Sequence, residues 1–157
     1  MKSLKIFWSF VILGLCLSCA PFVDVSFDEQ IIFSDYKTYR FYPDIVSGLD
    51  SLEQAMMMEA VEKVLMDKNI SQSEYPALYV NFYIDEEAST YENVGADYYN
   101  TSNIFQNITL DIVDVDNDRL IWQAAMQSEL PLYLDSISLR KYYQATAERL
   151  LAKYPPE

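Results

Sequence analysis

The clearest candidate for chemistry is a run of alternating aspartates in the second half of the chain. Asp114, Asp116 and Asp118 have the spacing of the first half of an EF-hand calcium loop, where carboxylates at alternate positions turn toward one cation. The second half of such a loop is missing, because Arg119 stands at its glycine position and Ala125 at the position of its bidentate glutamate. We therefore interpret the run as an acidic hairpin turn without a resident metal, and keep weak calcium-dependent binding as an alternative.

The other reactive side chains give little support for catalysis. The chain has no histidine, and its two cysteines, Cys16 and Cys19, both lie near the N-terminus. The folded part therefore lacks the commonest general base, a thiol nucleophile and a zinc-type cluster. Paired carboxylates can hydrolyse glycosidic bonds, but the adjacent Glu86 and Glu87 should point to opposite sides of a strand. We predict no catalytic residue, no cofactor and no enzymatic activity, and keep a hydrolase that uses Glu86 or Asp111 as an alternative.

The N-terminal segment has the pattern of an export signal. Lys2 and Lys5 precede a 12-residue stretch, residues 6–17, that is apolar apart from one serine and one glycine. This stretch is too short to span a bilayer and fits the hydrophobic region of a signal peptide. The following Leu17-Ser18-Cys19-Ala20 resembles the bacterial lipobox, in which a small residue precedes the cysteine that is lipidated. We predict a signal peptide over residues 1–18 and a lipid attachment at Cys19.

The charge of the mature chain excludes one class of partner. Loss of residues 1–18 removes Lys2 and Lys5 and no acid, so the 11 basic residues fall to 9 against 24 acidic ones, and the net charge becomes −15. Such a surface repels phosphate backbones, so we predict no nucleic-acid binding. It also repels anionic headgroups, so membrane attachment has to come from acyl chains on Cys19.

A second candidate site is the long segment from Asp85 to Asn103, which we predict to be a loop. It combines several acids with Tyr91, Tyr98 and Tyr99 and contains no basic residue. Long loops in small domains are often functional, and exposed tyrosines next to amides suit adaptable recognition. These three tyrosines are our candidates for contact with a protein partner.

Hydrophobic spacing predicts the elements that position these residues. Helices are expected at 51–68 and 139–154, the first with a capping box formed by Ser51 and Gln54. Alternating patterns predict five strands, at 23–27, 36–42, 77–84, 107–113 and 119–129. The chain is thus expected to be an α/β protein of the α+β type, with a single sheet of about five strands and two helices packed on one face, in the order β-β-α-β-β-β-α.

The alternation also predicts which strand residues face the core. They are Leu78, Val80, Phe82 and Ile84 in the third strand, Ile108, Leu110 and Ile112 in the fourth, and Leu120, Trp122, Ala124 and Met126 in the fifth.

Five segments, in order, resemble the DUF4136 family of bacterial envelope lipoproteins. Those segments are Phe33-Ser34-Asp35-Tyr36-Lys37-Thr38-Tyr39-Arg40-Phe41, Leu65-Met66-Asp67-Lys68-Asn69, Pro76-Ala77-Leu78-Tyr79-Val80, the hairpin Leu110-Asp111-Ile112-Val113-Asp114 with Arg119-Leu120-Ile121-Trp122, and Leu150-Leu151-Ala152-Lys153-Tyr154-Pro155-Pro156. The resemblance covers nearly the whole mature chain and implies one domain over residues 19–157. It implies an α/β envelope lipoprotein and no particular activity.

Together these observations predict a membrane-anchored envelope lipoprotein that binds a protein partner or helps to maintain the envelope. No aspartate directly follows Cys19, and the next residues are Ala20, Pro21 and Phe22. In the sorting rules of some bacteria this pattern indicates the outer membrane, with the domain facing the periplasm.

Overall fold

A computed structural model of the chain describes residues 22–90, 102–130 and 133–156. The described elements are six strands, two α-helices and short 3-10 turns at Phe33–Asp35 and Leu151–Lys153. In chain order they are β1 (Val23–Phe27), β2 (Thr38–Phe41), α1 (Ser51–Asp67), β3 (Ser71–Gln72), β4 (Leu78–Thr90), β5 (Ser102–Asp114), β6 (Arg119–Leu130) and α2 (Ser136–Leu150).

All six strands form one mixed sheet in the order β1-β6-β5-β4-β2-β3. The β4, β5 and β6 strands make an antiparallel meander, and β1 pairs antiparallel with β6 at one edge. At the other edge, β2 runs parallel to both β4 and the two-residue β3. The parallel step from β2 to β4 is possible because α1 crosses over between them.

The core lies between one face of this sheet and the two helices. Apolar side chains of both helices and of the inward strand positions belong to one buried cluster, and α1 and α2 pack against each other. The expected α+β architecture, with two helices on one face of a single sheet, is confirmed. The sequence pattern missed only β3, which is too short to show an alternation.

The cap of α1 is Asp50, and the prediction that Ser51 caps the helix was wrong. The Asp50 carboxylate accepts hydrogen bonds from the backbone N–H groups of Leu52 and Glu53, both at 2.8 Å. Gln54 does not close a capping box, because its side-chain oxygen accepts a 2.7 Å bond from the hydroxyl of Ser47. The helix ends at Asp67, one residue before the predicted end, and Asn69 just beyond it has a φ of 61°, in the left-handed region.

Helix α2 begins three residues earlier than predicted. Its cap is Asp135, whose carboxylate accepts a 2.7 Å hydrogen bond from the N–H of Ser138. The α-helix ends at Leu150, the next three residues of the predicted helix form the 3-10 turn, and its last residue, Tyr154, is extended.

Strands β4 and β5 are both longer than predicted and pair along their whole length. Their ladder runs from the pair Leu78 and Asp114 to the pair Thr90 and Ser102, so both flanks of the expected 85–103 loop are strand. The remainder of that loop, 91–101, lies outside the described residues. In the described part of the chain, no helix has the length and apolarity needed to cross a membrane.

A β-bulge changes which residues of β6 face the core. Ile112 pairs with Trp122 and Val113 pairs with Leu120, so Ile121 is an extra residue on β6. Ile121 is consequently buried, while Leu120 is 47% exposed. The prediction that Leu120 faces the core was wrong, whereas Trp122, Ala124 and Met126 are buried as expected.

Candidate functional site

Asp114 organises the β5–β6 turn from a buried position. Its Oδ1 accepts hydrogen bonds from the backbone N–H groups of Asp116 (2.9 Å) and Asn117 (3.1 Å). Its Oδ2 accepts from the amide of Asn117 at 2.9 Å and from the Tyr36 hydroxyl at 2.7 Å. The carboxylate thus holds the turn and ties it to the segment that leads into β2.

The ionisation of both partners reflects this bonding. The hydrogen bond from Tyr36 is the largest cause that keeps the pKa of Asp114 below its usual value, followed in importance by burial, which acts in the opposite direction. Burial and the hydrogen bond to Asp114 raise the pKa of Tyr36 to about 12. At neutral pH, Asp114 is therefore a charged hydrogen-bond acceptor and Tyr36 a neutral donor.

The three aspartates of the calcium-like pattern do not converge. Asp114 is buried and directs both oxygens to donors, whereas Asp116 and Asp118 are exposed. Across residues 22–90, 102–130 and 133–156, no three acidic, cysteine or histidine side chains are arranged to hold a metal ion. The arrangement acts as a turn support, and its hydrogen bonds compete with any cation.

Asp111 lies on the outer face of the sheet, the side opposite the helices. Its Oδ1 accepts a 2.7 Å hydrogen bond from the amide of Gln123 on β6. Two rows along the same face, Asn107 accepts from Gln127 at 3.2 Å. This face carries mainly polar and tyrosine side chains, as expected where one face of a sheet meets solvent. Asp111 is thus part of a cross-strand pair and not of a pocket shared with Glu86.

A second polar cluster lies on the helix side of the sheet, around Gln106. Gln106 is fully buried, and its amide nitrogen donates to Glu86 at 3.0 Å while its oxygen accepts from the Tyr142 hydroxyl at 2.9 Å. The hydroxyls of the buried Ser128 and Thr146 lie close to Tyr142. We call these residues, together with Glu53 and Tyr143, the Gln106 cluster.

Two hydroxyl groups of the Gln106 cluster are buried without a hydrogen-bond partner among the described residues. They belong to Tyr143 and Thr146, whose exposed fractions are 0% and 1%. The Tyr143 hydroxyl lies near Glu53 and Gln106 without completing a bond to either. Burial is the main cause that raises the pKa of Tyr143, so its phenol stays neutral.

Glu53 is a half-buried carboxyl group of the Gln106 cluster. Burial, and next the nearby Asp50 carboxylate, raise the pKa of Glu53, and Glu86 contributes in the same direction. The cluster therefore offers two neighbouring carboxyl groups, one amide and neutral phenols. Those groups can form hydrogen bonds with a ligand, and they include no nucleophile activated by a base.

The sequence pattern contained a signal for this cluster that our predictions did not use. Gln106 occupies an inward position of β5, two residues before Ile108, where an apolar side chain is expected. A polar residue at such a position must find buried partners. The partners themselves, Glu86 and Tyr142, come from other elements and were not predicted.

The remaining predicted site residues lie outside the described part of the chain. They are the lipidation candidate Cys19 and the recognition candidates Tyr91, Tyr98 and Tyr99. They stay predictions.

Comparison with known proteins adds a family and a fold. The family model described as "Domain of unknown function (DUF4136)" matches residues 23–156. Comparison with curated proteins gives no match.

Solved structures share the fold at low sequence identity. A PDZ domain protein from Parabacteroides distasonis is similar with a TM-score of 0.61 and 15% identity, over 86% of this chain and 35% of that one. This chain thus spans about a third of that protein's length. The PelC dodecamer from Paraburkholderia phytofirmans is similar with a TM-score of 0.55 and 10% identity, over 85% of this chain and 96% of that one. At these identities the likeness shows the fold alone.

Proposed function

This chain belongs to the DUF4136 family, and we propose that it is a bacterial envelope lipoprotein, anchored through Cys19, whose domain is a non-enzymatic binding module. The observation that carries the proposal is the sequence Leu17-Ser18-Cys19-Ala20 at the end of an apolar segment. The anchor holds the domain in the outer membrane, on the periplasmic side, because no aspartate follows the cysteine directly.

The anchor and the domain are close together along the chain. Strand β1 begins at Val23, four residues after Cys19. Four extended residues span at most about 14 Å. Two or three acyl chains on the cysteine make attachment effectively permanent, so the start of β1 stays within that distance of the bilayer surface.

The bonding of the carboxylates supports a binding role over hydrolysis. Asp114 accepts four hydrogen bonds, and Asp111 and Glu86 each accept one from a neighbouring amide. A hydrolytic pair needs two carboxylates that face one substrate from a shared cavity. Asp111 and Glu86 lie on opposite faces of the sheet, so they cannot form such a pair.

Metabolic labelling with an alkyne fatty acid tests the anchor. We expect the full chain to incorporate the label and Cys19→Ala to lose it, with the protein leaving the membrane fraction. Cys16→Ala is the matched control, because it removes the other cysteine, and it should keep the label. Label retained in Cys19→Ala, or absent from the unmodified chain, would overturn the proposed anchor.

Cross-linking in intact cells tests the binding module. A lysine- or carboxylate-reactive cross-linker followed by mass spectrometry should recover the same neighbouring protein in repeated experiments. The cross-links should involve exposed side chains of the domain, residues 19–157. If the chain incorporates the fatty-acid label but yields no reproducible neighbour, the proposed anchor is supported and the proposed binding role is contradicted.

A further inference from the structure

Strand β1 leaves one edge of the sheet open for pairing. It is the outermost strand in the sheet order, next to β6. The N–H of Asp28 donates to the carbonyl of Ile121 at 3.0 Å, which continues the β1–β6 ladder by one pair. Since hydrogen-bonded pairs alternate along an antiparallel ladder, the backbone groups of Val23, Val25 and Phe27 point away from β6. No described residue pairs with them.

A groove runs beside this edge on the helix side of the sheet, and its lining combines apolar side chains with the charged Lys153, Asp28 and Glu29. Val25 and Phe27 line a cavity of about 430 Å³ together with Ala152, Pro155 and Pro156. A neighbouring cavity of about 540 Å³ shares Phe27 and both prolines. Phe27 is 43% exposed, which is high for a side chain directed toward the core. An added strand would place its inward side chains over this groove.

From this edge and groove we propose that β1 pairs antiparallel with β1 of a second copy of the chain, which joins the two sheets into one. The pairing centres on Val25, which lies opposite its own copy, and Val23 lies opposite Phe27. These three pairs form about six backbone hydrogen bonds, two for each pair. The apolar side chains of each copy then cover the groove of the other.

The sequence of β1 suits this register electrostatically. Asp24 and Ser26 are exposed on the outer face of the strand, and the register places each Asp24 opposite a Ser26. Like charges directly opposite each other destabilise a pair of strands. This register places no carboxylate of β1 directly opposite another. Other charges of the acidic surface are screened beyond about 8 Å at physiological salt.

The position of the chain before β1 favours a second copy as the partner, and this step rests on the proposed anchor. Phe22 is 82% exposed and lines a shallow cavity with Asn107, Thr109 and Gln127 of the outer face. The two-fold axis of the pair is perpendicular to the sheet, so both outer faces lie on one side. Both lipid anchors then reach the same membrane, and confinement to that membrane raises the effective concentration of the copies.

Disulfide cross-linking of the full chain in its membrane tests the register. Val25→Cys should form a covalent dimer under mild oxidation, because the two Cα atoms of such a pair are about 5.5 Å apart. Val23→Cys is the matched control, since it has the same residue type and faces the same side. Its two copies would be about 14 Å apart, four residues along the strand. We expect at least tenfold more dimer from Val25→Cys, and dimer from the Val23→Cys, Phe27→Cys double variant.

The outcomes separate the pairing from the anchor. Equal dimer from Val23→Cys and Val25→Cys, or none from Val25→Cys, overturns the pairing. Fatty-acid label in the same samples reports the anchor independently, and the cross-link pattern decides the pairing even where the label is absent.

A proline substitution gives a second measurement without a new cysteine. Val25→Pro removes an N–H that points to the open edge and leaves the ladder to β6 intact. In mild detergent the full chain and Val25→Ala should have the mass of a dimer, and Val25→Pro that of a monomer with an unchanged circular dichroism spectrum. A dimeric Val25→Pro would also overturn the proposal.

Discussion

The two ends of β5 carry two buried polar groups that are satisfied to different degrees. At the C-terminal end, Asp114 accepts four hydrogen bonds, and its pKa is lowered. Near the N-terminal end, Gln106 is bonded at both ends of its amide, but the neighbouring Tyr143 and Thr146 hydroxyls are buried without a partner among the described residues. The pKa of Glu53 at this end is raised.

The contrast separates a structural role from a candidate binding role. A buried carboxylate with all of its bonds made stabilises the fold and has no capacity left for a ligand. A cluster with unsatisfied hydroxyls and a carboxyl group that resists ionisation costs stability. Such a cost is typical of sites where function constrains the residues. The Asp114 end therefore supports the fold, and the Gln106 end is the better place to search for a ligand.

The largest expected effect is that of Asp114→Ala. The substitution removes four hydrogen bonds, leaves the Tyr36 hydroxyl without its acceptor and should destabilise the domain by about 3 kcal/mol. Denaturant unfolding of the mature chain measures this loss. Asp116→Ala, an exposed residue of the same turn, is the control and should change stability by less than about 0.5 kcal/mol. Similar losses in the two variants would contradict the structural role of Asp114.

The stabilisation by Asp114 should also depend on pH. Because the folded-state pKa is below the ordinary carboxyl value, the contribution is complete above about pH 4 and is lost as the pH falls through the folded pKa. The difference in unfolding free energy between the unmodified chain and Asp114→Ala should therefore narrow below pH 4. A constant difference down to pH 2 would argue against a charged acceptor.

Two adjacent tyrosines provide the next test, with effects of opposite sign. Tyr142→Phe removes the bond to Gln106, leaves a buried amide oxygen unsatisfied and should cost about 1 kcal/mol. Tyr143→Phe removes a hydroxyl that has no partner in the described part of the chain, so stability should stay unchanged or rise by up to about 1 kcal/mol. Denaturant unfolding curves of the two variants and of the unmodified chain measure these changes in stability. An equal loss in Tyr143→Phe would mean that its hydroxyl is bonded to Glu53 or Gln106.

The fold was largely predictable because its core follows regular periods. Leu78, Val80, Phe82 and Ile84 alternate without interruption, and all four are buried as expected. Hydrophobic spacing also located both helices, although their first residues depend on caps. Asp50 and Ser51 are both good capping residues, and only the backbone geometry shows that Asp50 makes the bonds.

The errors arose where pairing between strands, and not local periodicity, sets the structure. The end of β4 beyond Asp85 carries mostly polar residues, so it reads as a loop, yet its backbone completes a ladder with β5. Leu120 is exposed and Ile121 is buried, the reverse of the prediction, because of a β-bulge in β6. The position of the bulge depends on the pairing with β5 and cannot be inferred from the sequence of β6 alone. The Gln106 cluster was missed for the same reason, because Glu86 and Tyr142 are 20 and 36 residues away from Gln106.

The smallest expected effect is that of Glu53, and it tests whether the Gln106 end costs stability. Since the folded-state pKa is raised, the folded state retains its proton to higher pH than the unfolded state, so stability falls as the pH rises from the ordinary value of about 4.3 through the folded value. Glu53→Gln should remove this slope and stabilise the domain by up to about 0.5 kcal/mol at pH 7.

Glu62→Gln is the matched control for Glu53→Gln, because it changes the net charge equally from an exposed position on α1. Urea unfolding at pH 5 and pH 7, together with a carboxyl titration by NMR, measures both quantities. The titration should place Glu53 above an exposed glutamate even in Glu86→Gln, since burial is the larger cause of the shift and Glu86 the smallest. If Glu53 has an ordinary pKa and Glu53→Gln is less stable than the unmodified chain, the Glu53 carboxylate stabilises the fold, as the Asp114 carboxylate does at the other end of β5. The Gln106 cluster would then be another support of the fold.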